Sequence, residues 1–274
     1  MKNPTPASTT SCTPAAARSV LWCVFVVMLL GVQAVSAKKI VFPSSGNPTC
    51  PGNRLHKITL VQSNYVQYSE FVTPVPALRA VSTCFWMTVQ DANRAATPLN
   101  YAVDEQDNTD NLTVQYRPSE GSWTLNINGV RVYTARAVPL TPQRWHHLCH
   151  SWDGATGQWS VWQDGSLMDS GVNTRSIGTE IPAGGTMVTG QHQNTLANMG
   201  MDAGEGLTGS LTLLHVSSTP LGNPQSYPTL RLVQHLATDC TATDRGDVVG
   251  WLRTPTRGYG GVLQEVAFQN CGRF

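Results

Sequence analysis

What most constrains the fold of this chain is a pair of stretches in which apolar residues alternate on either side of an Xaa-Gly dipeptide. They are Trp123-Thr-Leu-Asn-Ile-Asn128-Gly129-Val-Arg-Val-Tyr133 and Gln158-Trp-Ser-Val-Trp-Gln-Asp164-Gly165-Ser-Leu. Asn-Gly and Asp-Gly supply the positive φ values that a two-residue hairpin turn requires. Around the first turn, Trp123, Leu125 and Ile127 and then Val130 and Val132 fall on one side, so one face is buried and the other wetted. From about residue 55 onward the chain continues as short β-type runs separated by turn residues, with almost no sustained 3.6-residue periodicity. The expected fold class is therefore all-β, a sandwich or barrel of antiparallel strands. One short helix is expected after Ser226, with Pro228 in its first turn and Leu230, Leu232, Val233 and Leu236 on one side. No internal repeat of roughly 20 to 50 residues is visible, which argues against a solenoid or propeller.

Of 274 residues only 13% are charged, and the net charge is +1. No basic footprint for nucleic acid or an anionic membrane is present. Residues 1–37 differ from the rest: no acidic residue, a lone Arg18, the apolar run Val20 to Val32, and a small-residue finish at Val35-Ser36-Ala37. That layout predicts a secretory signal cleaved near Ala37, the alternative being an uncleaved anchor. Residues 38–54, rich in Pro, Ser and Gly, read as an extended linker, and a folded domain is expected over 55–274. Export implies an oxidising compartment. Of seven cysteines, Cys12 and Cys23 fall in the expected signal, leaving Cys50, Cys84, Cys149, Cys240 and Cys271, an odd number, so one is left over. A sequon at Asn111-Leu112-Thr113 fits the same compartment and predicts a glycan on a surface loop or strand edge.

The strongest local signal is His147-Leu-Cys149-His-Ser151-Trp152-Asp-Gly154, preceded by Trp145. On a strand, His147, Cys149 and Ser151 face one way while Leu148, His150 and Trp152 face the other, so the cysteine can reach a neighbouring strand. The stretch resembles the pentraxin signature, His-x-Cys-x-Ser/Thr-Trp, departing where Gly154 stands for Ser or Thr. Further segments resemble that family over roughly residues 55 to 265. Cys84 before Phe85-Trp86 resembles the first half of its intradomain disulfide, with Cys149 the second. Tyr101-Ala102 leading to Gln106-Asp107-Asn108 resembles its first calcium-binding segment. Gly190-Gln191-His192-Gln193-Asn194 followed by Leu207-Thr-Gly209 resembles its calcium loop and the next strand, and Gly246-Asp-Val-Val-Gly250-Trp251 a stretch near its C-terminal end.

The resemblance implies a two-sheet jelly-roll sandwich, of the kind shared with laminin-G-like modules, and calcium ligands at Asp107, Asn108, Gln193 (through its carbonyl), Asn194, Asp202 and Glu205. Calcium needs six to eight hard oxygens. His192 stands where the family carries a Glu that bridges two ions, and Asn194 where it carries an Asp. Imidazole is a poor calcium ligand, so the expectation is one weaker calcium per subunit, or none. Where family members that bind phosphocholine carry an aromatic wall and a carboxylate, this chain reads Leu112-Thr-Val-Gln-Tyr116 and Gly129-Val-Arg131 without an acidic match, so such a pocket is not expected. The resemblance also implies a clamp between Cys50 and Cys271, as in the longer pentraxins, with Cys240 left to link subunits. The alternative joins Cys240 to Cys271 and leaves Cys50 as the link.

Two other chemistries are disfavoured. His146, His147 and His150 cannot converge on one zinc ion, because alternation puts His147 on the opposite face from the other two. Glu105-Gln-Asp107-Asn-Thr-Asp110 only approaches the paired-carboxylate strand motif of sandwich glycosidases and lacks the apolar residues that would seat it. No enzyme is expected. The expectation is a secreted, extracellular homo-oligomer, pentameric or another ring, giving calcium-assisted, multivalent recognition of extracellular or microbial surface ligands. Its rival is a calcium-independent, laminin-G-like adhesion or receptor-ectodomain module.

Overall fold

The computed structural model describes residues 54–62, 65–103, 110–193, 201 and 204–274. The expected signal, the linker through residue 53, and Cys50 lie outside the described residues. In chain order the strands are β1 (His56–Leu60), β2 (Tyr68–Phe71), β3 (Ala80–Val89), β4 (Ala96–Ala102), β5 (Leu112–Arg117), β6 (Ser122–Ile127) and β7 (Val130–Arg136). They continue as β8 (His146–Asp153), β9 (Gln158–Gln163), β10 (Ser166–Val172), β11 (Thr186–Thr189), β12 (Gly209–Ser217), β13 (Thr256–Tyr259) and β14 (Leu263–Val266), with, among the described residues, a single 3-10 turn at Thr174–Ser176 and one α-helix, α1 (Tyr227–Leu236), after β12.

These strands form two seven-stranded antiparallel sheets, in the orders β10-β9-β8-β3-β12-β1-β14 and β13-β2-β11-β4-β5-β6-β7. The two Xaa-Gly hairpins are β6–β7 and β9–β10. Their turns sit at φ 46° and 72° (Asn128, Gly129) and 50° and 79° (Asp164, Gly165), the left-handed pair that matches strand twist.

The chain is an all-β sandwich whose core fills the space between the sheets. Phe85, Met87, Leu148, Trp152 and Leu211 come from one sheet and Leu99, Tyr101, Val114, Trp123 and Leu125 from the other. Period-two alternation explains why, since every second residue of a strand points to the same face. His150 shares the inward face of β8 with Leu148 and Trp152. It lies between the Phe85 and Trp123 rings, with Nδ1 2.6 Å from the Tyr133 hydroxyl.

The outward face of β3, β8 and β9 is also covered, by α1. Cys84, Cys149, Trp162 and Val233 form a second buried cluster with Leu230 and Leu236 against it. Ser226 caps α1, its hydroxyl accepting from Thr229 N. Leu232, expected on the buried side, is 43% exposed. At about 100° per residue, positions 230 and 236 lie within about 60° of Val233, whereas 232 lies about 100° from it, at the rim of that face.

Cys84 and Cys149 are direct cross-strand partners on β3 and β8 and form a disulfide with Cα atoms 4.2 Å apart. The second disulfide joins Cys240 to Cys271, with Cα atoms 5.2 Å apart. Of the two expected schemes this is the alternative one: it replaces the Cys50–Cys271 clamp and removes Cys240 as the interchain candidate. The chain after β14 returns to the segment after α1, where Ala242 N donates to the Gln269 side chain, which places the two sulfurs within bonding reach.

Candidate functional site

The site lies on the outer face of the second sheet. Its inward residues are apolar, whereas Asn100, Thr113, Asn126 and Arg131 are cross-strand neighbours on the other side of β4, β5, β6 and β7. Their side chains form a polar ladder. Asn100 Nδ2 donates to Thr113 Oγ1 at 2.7 Å, and Arg131 Nε donates to Asn126 Oδ1 at 2.5 Å. A sheet face buried on only one side tolerates such residues, and here they form the floor beneath the chain that follows β11.

That chain is pinned from below by buried amides. Gln62 Nε2 donates to the carbonyls of Gln67, Gly190 and Leu207, and Gln191 Nε2 donates to Gln62 Oε1. Gly190 adopts φ +93°, and a Cβ there would meet Leu60 Cδ2 at 2.7 Å, so this position takes only glycine. Thr97 Oγ1 donates to the Glu205 carbonyl at 2.9 Å and holds the returning segment on the same face.

Three side chains converge above this floor. His192 Nε2 lies 2.5 Å from Asp110 Oδ1 and Nδ1 lies 2.7 Å from Glu205 Oε2. The other Asp110 oxygen accepts from Asn126 Nδ2 at 2.9 Å. Burial lowers the His192 pKa, but hydrogen bonds to the two carboxylates and their charges outweigh it and push the imidazole up to about 9. Burial likewise raises Asp110, and the bond to His192 overrides it, holding the carboxyl below its usual value. Glu205 is lowered chiefly by its bond to His192.

Of the six expected calcium ligands, Asp107, Asn108, Asn194 and Asp202 lie outside the described residues. Gln193 and Glu205 are described. Gln193 is anchored to the floor, its backbone N and its Nε2 both donating to Asn100 Oδ1. Its Oε1 is buried with no hydrogen-bond partner among the described residues. Glu205 meets His192 through one carboxylate oxygen, Oε2. The described groups therefore do not fit the arrangement that the resemblance implies, two ions bridged from position 192. A ring nitrogen that must donate to a carboxylate cannot also coordinate a cation.

Sequence reasoning placed Asp110 only in a disfavoured carboxylate motif and passed over Asn100 and Gln62. Asp110 stands two residues beyond the expected ligand Asn108, and that proximity was the available signal. The sequon is not on the surface. Asn111 is 6% exposed, its Oδ1 accepts from Val103 N at 2.8 Å, and its Nδ2 donates to Asn128 Oδ1 at 3.0 Å. Asn111 links Val103 to Asn128, so a glycan on Nδ2 would displace the bond to Asn128. Mass spectrometry of the protein from a glycosylating host is expected to show the Asn111 peptide unmodified, and a glycosylated peptide would contradict this placement. Asn111→Ala is expected to lower stability by about 2 kcal/mol, through the loss of two hydrogen bonds to half-buried partners.

The three clustered histidines separate. His146 Nδ1 pairs with Asp164 Oδ2 at 2.9 Å, His147 lies against Trp86, and His150 is in the core. The sulfurs of Cys84 and Cys149 near His147 are bonded to each other.

Comparison with known proteins agrees with the fold. The chain is 34% identical over 179 residues to the mouse (Mus musculus) "Sushi, von Willebrand factor type A, EGF and pentraxin domain-containing protein 1", a match covering 65% of this chain and 5% of that one. It is 23% identical over 231 residues to C-reactive protein 1.4 of Limulus polyphemus, covering 82% of this chain and 84% of that one. The crystal structure of a native heptameric SAP-like pentraxin from Limulus polyphemus superposes with a TM-score of 0.67 at 24% identity, over 81% of this chain and 99% of that one. The chain thus spans a small fraction of the mouse relative and most of the horseshoe-crab ones. A sequence profile described as the Pentaxin family matches residues 60–240, more than half of the sequence, and on that ground the chain belongs to the Pentaxin family, the pentraxins.

Proposed function

We propose that this protein is a secreted, multivalent binding protein that recognises ligands exposed on extracellular or microbial surfaces through the face carrying His192. The observation that supports this most is the gathering of the two loop segments onto one polar sheet face, pinned from beneath by Gln62, Gln191 and Thr97. A shallow face of this kind binds weakly alone, and several copies in one assembly raise avidity by about 10²–10⁴. Homo-oligomerisation, in a ring, is part of the proposal. With Cys240 joined to Cys271, the odd cysteine is Cys50, and we assign it the link to another chain. Among the described residues, no helix is long and apolar enough to cross a membrane.

Calcium assistance is limited by the described donors. Glu205 gives one of its two carboxylate oxygens to His192, while Gln193 Oε1 is free of protein donors among the described residues. The proposal is therefore at most one calcium per subunit, held by Gln193 with Asp107, Asn108, Asn194 and Asp202. A second reading, calcium-independent adhesion by a module of a larger extracellular protein, is favoured by the same His192 contacts.

The test is retention of the secreted oligomer on phosphocholine and polysaccharide resins, with and without chelator, alongside light scattering to measure assembly size. Retention that is lost with chelator supports the first reading, and retention indifferent to chelator supports the second. A monomeric protein retained on no resin would overturn the proposal.

A further inference from the structure

Carboxylates are acceptors only at neutral pH, so a ring whose two nitrogens each lie within hydrogen-bond distance of one must carry a proton on both. His192 meets that condition at 2.5 Å from Asp110 and 2.7 Å from Glu205. Its ring is thus a cation set between two acids that come from different parts of the chain, one just before β5 and one just before β12. Each acid is independently fixed to the sheet. Asp110 accepts from Asn126, and the Glu205 backbone is held by Thr97. His192 follows Gln191, the innermost member of the buried glutamine network, at 0% exposure. The cation is consequently positioned by the fold and is no wandering surface side chain: only 14% of it is exposed.

We propose that His192 is a built-in counter-cation that joins the Asp110 and Glu205 segments in the place where a divalent ion would otherwise have to neutralise them, so that this part of the face is braced without metal. A calcium ion needs oxygen contacts at about 2.3–2.6 Å, and the imidazolium occupies the position between the two acids from which those contacts would be made. Two carboxylates facing each other without a cation repel; with the imidazolium the pair becomes a charge-assisted bridge. His192 is a positioning residue, and the inference stands whether or not the face binds a surface ligand, because resin retention is not among its readouts.

Two variants of the full-length secreted protein test it, His192→Gln and His192→Glu, by thermal melting and calcium titration calorimetry in calcium and in chelator. His192→Gln is expected to melt several degrees below wild type in both conditions and to gain no ion, since a neutral amide cannot balance two acids. His192→Glu brings a third carboxylate to Asp110 and Glu205. It is expected to melt below wild type in chelator, to recover when calcium is added, and to bind one ion more per subunit than wild type. The Gln variant keeps the test decisive if the Glu variant does not fold. The proposal is overturned if His192→Gln melts at the wild-type temperature, or if a folded His192→Glu binds no additional calcium.

Discussion

Lowering the pH from 6.5 to 5 is expected to remove about 5 kcal/mol of stability, through three histidines that the fold keeps neutral. Burial lowers the His147 pKa to about 3, only partly opposed by Asp164, and Arg245 and His215 lower it further. Burial alone takes His150 to about 3. His215 is lowered to about 4, again chiefly by burial, with Arg245 and Arg253 adding to the effect and Asp244 opposing it. The sign follows directly. The unfolded chain protonates these rings near 6.5, the ordinary value, while the folded chain refuses the proton until pH 4 or lower. Between those limits the unfolded state binds more protons, so stability falls as pH falls, by about 1.4 kcal/mol per pH unit for each ring once the pH is well below 6.5. His192 has the opposite sign, but its contribution is already almost complete at pH 6.5 and offsets little in this window. The structural cause is visible at His150 and His147: Nε2 of one and Nδ1 of the other are buried with no partner among the described residues. A loss of about 5 kcal/mol compares with a typical domain stability of about 5–15 kcal/mol, so acid unfolding should set in near pH 5. Urea unfolding followed by tryptophan fluorescence at pH 7.5, 6.5, 5.5 and 5 reads this as a falling midpoint, and His150→Phe should shallow the dependence by about one proton. A midpoint constant from pH 6.5 to 5 would contradict the account.

The fold was legible because its signals are local. Asn128-Gly129 and Asp164-Gly165 dictate hairpins through their own backbone preferences, and alternation along residues 146–153 separated Leu148, His150 and Trp152 from Cys149 before any partner strand was known. Site chemistry was less legible because it depends on what meets what. His192 was readable as an unusual residue in a calcium-type loop, yet nothing in its neighbourhood named Asp110, which is 82 residues away in the chain. Asn111 carried a surface signal, the sequon, whereas its burial comes from Val103 and Asn128, contacts that only the folded turn creates. The cysteines divide the same way. The sequence left Cys271 with either Cys50 or Cys240, because pairing is decided by which Cα atoms come within about 7 Å, and the return of the chain after β14 brings Cys240 there. Leu232 departs from the expectation for a simpler reason: it lies about 100° around the axis from Val233, the buried centre of α1, and so falls at the rim of the face.

Replacing Cys84 and Cys149 together by alanine is expected to lower stability by about 5 kcal/mol. The bridge spans 65 residues, and closing a loop of that length in the unfolded chain is worth about 4 kcal/mol in the chain-entropy model. The remainder comes from packing. Both sulfurs lie in the cluster with Trp162 and Val233 beneath α1, and removing buried heavy atoms there leaves a void that dense surroundings fill poorly. The same substitution at Cys240 and Cys271 opens a 31-residue loop, so the entropic loss is nearly as large. Its packing loss is smaller, because Cys271 is only half-buried. The two variants therefore separate the contributions. Similar unfolding free energies in urea would mean that chain entropy dominates, and a larger loss at Cys84 and Cys149 would show the packing share. The position of the first bridge adds a local signature. Leu230, Val233 and Leu236 rest on that cluster, so hydrogen exchange in α1 should speed up in the Cys84/Cys149 variant beyond the global loss, while exchange in β5 and β6 should follow the global loss alone. A loss below about 2 kcal/mol for the Cys84/Cys149 variant, or an α1 that exchanges no faster than β5, would mean that the pairing of β3 with β8 and the seating of the helix hold without the bridge.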